Sequence, residues 1–225
     1  MSSTRKDQIR ALLKGIETGD EAAVAVVNQD KYIQHNPQTH EGSEGLAALF
    51  KRLSRTSPRV NIVRIFEDGD YVFAHTEYDF ATSNIGFEVF RFEDGQAVEH
   101  WDNIQRRQGP NPSGHSMVDG PVEATDLALT ESNRKLVSSF VKDILIDRRL
   151  GKLENYIDQQ RFTQHNPRID DGLSALHSAL GSAVSNELTI EYDRMHRLLA
   201  EGSFVLSVSE GSFGGVHSSF YDLFR

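Results

Sequence analysis

The sequence predicts an α+β protein built from two similar units, and three observations carry that expectation. A four-residue word occurs twice, as Gln34-His35-Asn36-Pro37 and as Gln164-His165-Asn166-Pro167, 130 residues apart. After each occurrence of its first helices a unit changes texture, from apolar residues at helical spacing to apolar residues in strand-like alternation. Between the two words lies Gly109-Pro110-Asn111-Pro112-Ser113-Gly114, a stretch that breaks regular structure. The likeness reaches further, because Tyr32 matches Phe162, Gly42 matches Gly172 and Leu46 matches Leu176 at the same offset. With slips of three or four residues, Phe66 to Phe73 matches Leu199 to Leu206, and Phe90-Arg91 matches Phe224-Arg225. The expected division is therefore residues 1–110 as the first unit, 111–124 as a linker and 125–225 as a second unit that lacks the final strand of the first.

Each element of the first unit has its own local signal. Ile9, Leu12, Leu13 and Ile16 fall on one helical face, and Gly19-Asp20 stops that helix and caps a short second one through Val24 and Val27. Gln34 to Pro37 is expected as a loop, since the residue before a proline is pushed out of the α region. A third helix is expected from about Ser43 to Leu53. Beyond Pro58 come strand-like runs at Val60 to Ile62, Tyr71 to Phe80, Ile85 to Glu93 and Ala97 to Gln105. Asp68-Gly69 and Asp94-Gly95 are hairpin turns between them, so the strands form an antiparallel meander.

Composition removes several classes of function. The 225 residues carry 24 basic against 33 acidic side chains, a net charge of −9. Residues 1–110 hold 13 basic and 17 acidic residues and the remainder 11 and 16, so neither half presents a basic excess for nucleic acid or an anionic membrane. Without cysteine there is no disulfide framework, thiol catalysis or thiolate metal site. The charged start MSSTRKDQIRALLKG carries no apolar run, so neither a signal peptide nor a membrane span is legible and a cytoplasmic location is the default expectation. No phosphate-binding loop, dinucleotide fingerprint or nucleophile elbow is present, which leaves cofactors as none.

Strand alternation nominates the candidate chemistry. His100 and Asp102 stand two residues apart on one strand face, about 7 Å between Cα atoms, with Val98 and Ile104 around them. An apolar setting raises a carboxyl pKa and lowers that of an imidazole, bringing both toward neutrality and toward general acid–base work. The alternative is a pair that merely bonds each other or backbone groups within the core, or lies at an exposed edge. His75 falls among aromatic neighbours on its strand and is the third candidate. His35, in the repeated word, either lines a pocket or holds the chain reversal, and persistence of His165 in a second unit without an equivalent of His75 favours the structural role. A two-histidine, one-carboxylate metal site from His75, His100 and Asp102 has no local ligand spacing behind it, so no metal is expected.

The run of a helix, Tyr32-Ile33-Gln34-His35-Asn36-Pro37, Gly42, a strand containing Ala74-His75, then Phe90-Arg91-Phe92-Glu93-Asp94-Gly95 leading into Glu99-His100-Trp101-Asp102 resembles the SnoaL-like polyketide cyclase branch of the nuclear transport factor 2-like (NTF2-like) superfamily. The resemblance covers the first unit well and the second in part. It implies a cone-shaped, cystatin-like fold with helices packed on a curved sheet, and a pocket between them for a small apolar ligand. It also implies pairing of units, here an intramolecular pseudo-dimer, with a homodimer of chains as the other assembly. The implied activity is a cofactor-independent proton transfer, an aldol-type cyclisation or isomerisation of a carbonyl compound. Asp102 or His100 would take the proton, and His75 or His35 would polarise the oxygen, with the first unit active and the second degenerate. The alternative is a non-catalytic ligand-binding or structural module, since this fold hosts both.

Overall fold

The computed structural model describes residues 4–159, 161–181 and 189–225. The chain divides into two compact units, Met1–Arg107 and Gln108–Arg225. In the first unit, α1 (Arg5–Thr18) begins at a capping box, where the Thr4 hydroxyl accepts from the Asp7 backbone N–H and the Asp7 carboxylate accepts from that of Thr4. It ends at Gly19, whose φ of +70° closes the last turn. Asp20 caps a short 3-10 helix, Glu21–Val26, and α2 (Gly42–Ser54) follows. The apolar faces of these helices, Ile9, Leu12, Leu13 and Ile16 from α1 with Leu46 and Phe50 from α2, are buried together. Each such side chain contributes about 1.5–3 kcal/mol.

They pack on one face of a five-stranded sheet of order β1-β5-β4-β3-β2, formed by β1 (Ile33–Gln34), β2 (Arg59–Asp68), β3 (Tyr71–Asp79), β4 (Ser83–Glu93) and β5 (Gln96–Arg106). The long strands make an antiparallel meander. One difference from the sequence reading concerns the repeated word: Ile33 and Gln34 pair in parallel with Glu99 and His100 of β5 before the chain turns at Asn36-Pro37. That strand edge would otherwise lie open, and the loop satisfies it. Two further irregularities shape the sheet. Register shifts between Ile62 and Arg64 on β2, and between Arg91 and Phe92 on β4 where β5 has the extra residue Val98, put one residue out of step.

The second unit also places helices before strands. α3 (Thr130–Phe140) continues into a wider π-helical turn at Val141–Ile146, followed by a 3-10 helix, Leu150–Asn155, and α4 (Leu173–Gly181). Its described strands, β6 (Ile190–Glu201), β7 (Phe204–Phe213) and β8 (Val216–Phe224), form a three-stranded antiparallel sheet of order β6-β7-β8. Val137, Phe140, Val141, Ile144, Leu153 and Leu176 pack with Ala200 and Val205 in its core.

The two Gln-His-Asn-Pro segments fold alike. In each, the glutamine Oε1 accepts the backbone N–H of the asparagine, and the asparagine Oδ1 accepts an N–H two residues on. The segment expected as the linker falls within the second compact unit and is hydrogen-bonded to it. The buried Asn111 donates to the carbonyls of Gln164 and Ile169, and its Oδ1 accepts from the His115 N–H.

Candidate active site

The inner face of the first sheet, the one covered by α1 and α2, carries a polar cluster among its apolar residues. The shifted register sets His100 opposite Phe90 and Asp102 opposite Glu88. Glu88 opposes Ala74 on β3, so Tyr78, Glu88, His100 and Asp102 share that face. His100 Nε2 lies 2.7 Å from Glu88 Oε2, and its Nδ1 lies 2.8 Å from Gln34 Oε1. The Tyr78 hydroxyl donates to Glu88 Oε1 at 2.8 Å, and Asn36 Nδ2 donates to Asp102 Oδ2 at 2.5 Å. The His100 ring stacks on Phe90 at 4.3 Å between centroids. Gly86 makes room for this arrangement. A Cβ there would stand 2.6 Å from both Thr76 Oγ1 and Tyr78 Cε2, and 3.0 Å from Glu88 Oε1.

Glu88 and His100 are buried, whereas Asp102 and Asn36 are half-buried and form the accessible side of the cluster. Burial, then the nearby Glu88 charge, raises the Asp102 carboxyl above its ordinary range, against the opposing pull of His100 and the Asn36 hydrogen bond. The phenols of Tyr78 and Tyr32 are also raised, first by burial and next by Glu88, so both remain protonated donors. Among the described residues, Glu88, His100 and Asp102 are the group whose ligand atoms come within 4.8 Å of one another, close enough to meet around a metal ion. His100 and Glu88 are in hydrogen-bond contact at 2.7 Å. The arrangement is therefore a hydrogen-bonded acid–base cluster.

The four sequence candidates divide between the two faces of the sheet. His100 and Asp102 come together; His75 and His35 do not join them. His75 pairs with Phe87, which pairs with Asn103, and this row faces away from α1 and α2. There His75 packs edge-on against Phe87 at 4.6 Å, and its Nδ1 accepts from the buried Arg64 guanidinium at 3.1 Å. The expected convergence of His75 with His100 and Asp102 is thus corrected by the pairing register. His35 lies on the same outer side, stacked on Trp101 at 4.8 Å with its Nε2 2.9 Å from Glu99 Oε1. Its counterpart His165 makes a different brace, with Nδ1 2.9 Å from the Ser116 carbonyl and 2.7 Å from Asp119 Oδ1.

Glu88, Tyr78, Gln34 and Asn36 were not singled out from the sequence. Gln34 and Asn36 sit inside the repeated word itself, where attention to its amide side chains rather than to its histidine points to them. Surface cavities among the described residues lie elsewhere, and two are of note. One of about 390 Å³ is bordered by Val24, Asn28, Ser43 and Gln96, and one of about 600 Å³ by Leu153, Asp171 and His177.

A curved sheet covered on one face by N-terminal helices, with acid–base side chains on that face, defines the class: a mixed α+β, NTF2-like fold. Residues 9–100 match the family described as SnoaL-like domain. Among solved structures, TsrD from Streptomyces laurentii is similar at 21% identity, over 44% of this chain and 85% of its own, with a TM-score of 0.39. An NTF2-like protein of unknown function from Cytophaga hutchinsonii is similar at 15% identity, over 47% and 93%, with a TM-score of 0.41. An LEH-like epoxide hydrolase from M. tuberculosis is similar at 21% identity, over 44% and 81%, with a TM-score of 0.38. No curated protein sequence matches the chain. No helix among the described residues is long and apolar enough to cross a membrane.

Proposed function

We propose that the first unit is a cofactor-independent proton-transfer enzyme acting on a small apolar carbonyl compound. The observation that carries this reading is Asp102: a half-buried carboxylate whose proton affinity is raised by burial, at the accessible side of an otherwise buried polar cluster. Asp102 is the base that removes a proton next to the carbonyl, and Asn36 orients it. His75 and His35 are assigned structural work in this proposal, holding Arg64 and Trp101 respectively. Polarisation of the oxygen then falls to the groups beside Asp102.

The test is deuterium incorporation from D₂O into a panel of apolar ketones and aldehydes, followed by NMR. The wild-type protein exchanges the proton next to the carbonyl of at least one compound. Asp102→Asn slows that exchange roughly 10²- to 10⁴-fold, while His165→Gln leaves it nearly unchanged. Binding of the same compounds without exchange supports the second reading, a ligand-binding module. That reading is favoured by the saturation of Glu88 and His100 with internal hydrogen bonds.

The second unit is proposed as a copy of the first, supported by the like folding of the two repeated words and by the common order of helices before a meander. Pairing of such units, within one chain or between chains in a homodimer, belongs to the same proposal. Sedimentation velocity separates the two, since only the homodimer doubles the mass.

A further inference from the structure

Two atoms of the cluster face each other in a way that fixes the number of protons between them. Gln34 Oε1 accepts from the backbone N–H of Asn36 at 3.0 Å, so that atom is the amide oxygen. His100 Nδ1 stands 2.8 Å from the same oxygen and must donate to it. In a neutral imidazole the other nitrogen, Nε2, then presents only a lone pair. Nε2 lies 2.7 Å from Glu88 Oε2, while Glu88 Oε1 is occupied by the Tyr78 hydroxyl as donor. An ionised Glu88 beside a neutral His100 would therefore set lone pair against lone pair, in a place where the two residues are 3% and 6% exposed. Water cannot relieve that contact, and the cost of such buried mispairing is about 1–3 kcal/mol or more for a charged group.

We infer that one proton lies between His100 Nε2 and Glu88 Oε2 at neutral pH, and that this shared proton is the acid that complements the Asp102 base. The pair exists as imidazolium with carboxylate or as imidazole with carboxylic acid, and both forms are neutral overall. Three further ionisable side chains face this axis: Asp102 from β5, Tyr78 from β3 and Tyr32 from the segment before β1. The inference rests on the reading of Asp102 proposed above and adds Glu88 to it as a positioning residue that acts through His100.

The proposed step balances. Asp102 forms a bond to the proton of the carbon next to the carbonyl, and the electrons of the broken C–H bond form a carbon–carbon double bond. The carbonyl π electrons move to oxygen, which takes the shared proton and becomes an enol hydroxyl. His100 is left neutral with its proton on Nδ1, Glu88 is left ionised, and return of both protons restores the site. The ligand atoms of the three groups lie within 4.8 Å of one another, a span that an enol fragment bridges.

The experiment needs no substrate. The full chain, labelled with ¹⁵N in histidine and ¹³C in glutamate carboxyls, is observed by NMR at pH 7.5. The expected spectrum has His100 Nδ1 protonated, Nε2 bonded to or sharing a proton, and a strongly deshielded proton that exchanges slowly with solvent. Glu88→Gln keeps an acceptor for Tyr78 and offers its amide N–H to Nε2, so the deshielded proton is lost and Nε2 reads as a bare acceptor. A wild-type spectrum with bare Nε2 beside an ionised Glu88 overturns the inference whether or not the variant folds, and so does a deshielded proton that survives in the variant. These outcomes are separate from those for Asp102. A shared proton in a protein that exchanges no carbonyl compound retires the base while keeping the pair, and carbonyl exchange with bare Nε2 does the reverse.

Discussion

His75 and His100 are both buried histidines on strands of one sheet, and their partners give them opposite work. His75 accepts from Arg64, so its loss removes an acceptor from a buried guanidinium. We expect His75→Leu to lower the stability of the first unit by about 1–3 kcal/mol in urea unfolding and to leave deuterium exchange on carbonyl compounds unaltered. His100 instead joins Gln34 to Glu88. The sequence distinguished neither role, because alternation along a single strand states which residues share a face but not which face of the neighbouring strand they meet. For His100 and Asp102, two apart on β5, that rule was sufficient. For His75, on β3, the answer depended on pairing across β4, which lies outside any local pattern.

At the scale of elements, turns and helix caps were legible, and register was not. The Asp94-Gly95 hairpin pairs Glu93 with Gln96, and counting back from it without interruption sets Glu88 opposite Trp101. In that register Glu88 would share a face with Trp101, and His100 and Asp102 would lie on the other. The extra residue Val98 moves the pairing by one, to Glu88 with Asp102, and so assembles the cluster. No sequence signal announces such a bulge; Val98 reads as one more strand residue. Gly86 is the complementary device on β4. A methyl group there would press on Tyr78 and Thr76 at 2.6 Å, both within a packed sheet. Gly86→Ala is expected to cost about 1–3 kcal/mol and to weaken the Tyr78 to Glu88 hydrogen bond, read as a lower urea midpoint with altered Tyr78 ring resonances.

On the scale of the whole molecule, each unit keeps a carboxyl group on the third long strand of its meander, bonded to a tyrosine hydroxyl. In the second unit this is Asp222, 3.1 Å and 3.3 Å from the hydroxyl of Tyr192. Burial raises its carboxyl to about 6, against the hydrogen bonds of Tyr192 and Ser207. A folded-state pKa above the unfolded value near 3.8 means that the folded state holds the proton more tightly. The resulting stability is fully present below about pH 4 and is lost as the pH rises to about 6, a difference of up to about 3 kcal/mol. Asp222→Asn, which preserves an acceptor for Tyr192, should therefore raise the unfolding temperature of the second unit at pH 8, have little effect at pH 4, and flatten the slope between. A destabilised variant at pH 8 would show that the ionised carboxylate is held by more than these hydroxyls.

The stacking of His35 on Trp101 also provides an optical label. Trp101 is the single tryptophan in 225 residues, and it lies on β5 of the first unit. Light absorbed at the red edge of the protein spectrum is re-emitted from that one indole, whose wavelength and yield depend on an imidazole 4.8 Å away and on the packing beneath it. Emission thus follows the melting of the first unit alone, while circular dichroism follows both. If the units melt independently, the two curves separate, and their separation measures the stability of each half in a single sample without cutting the chain.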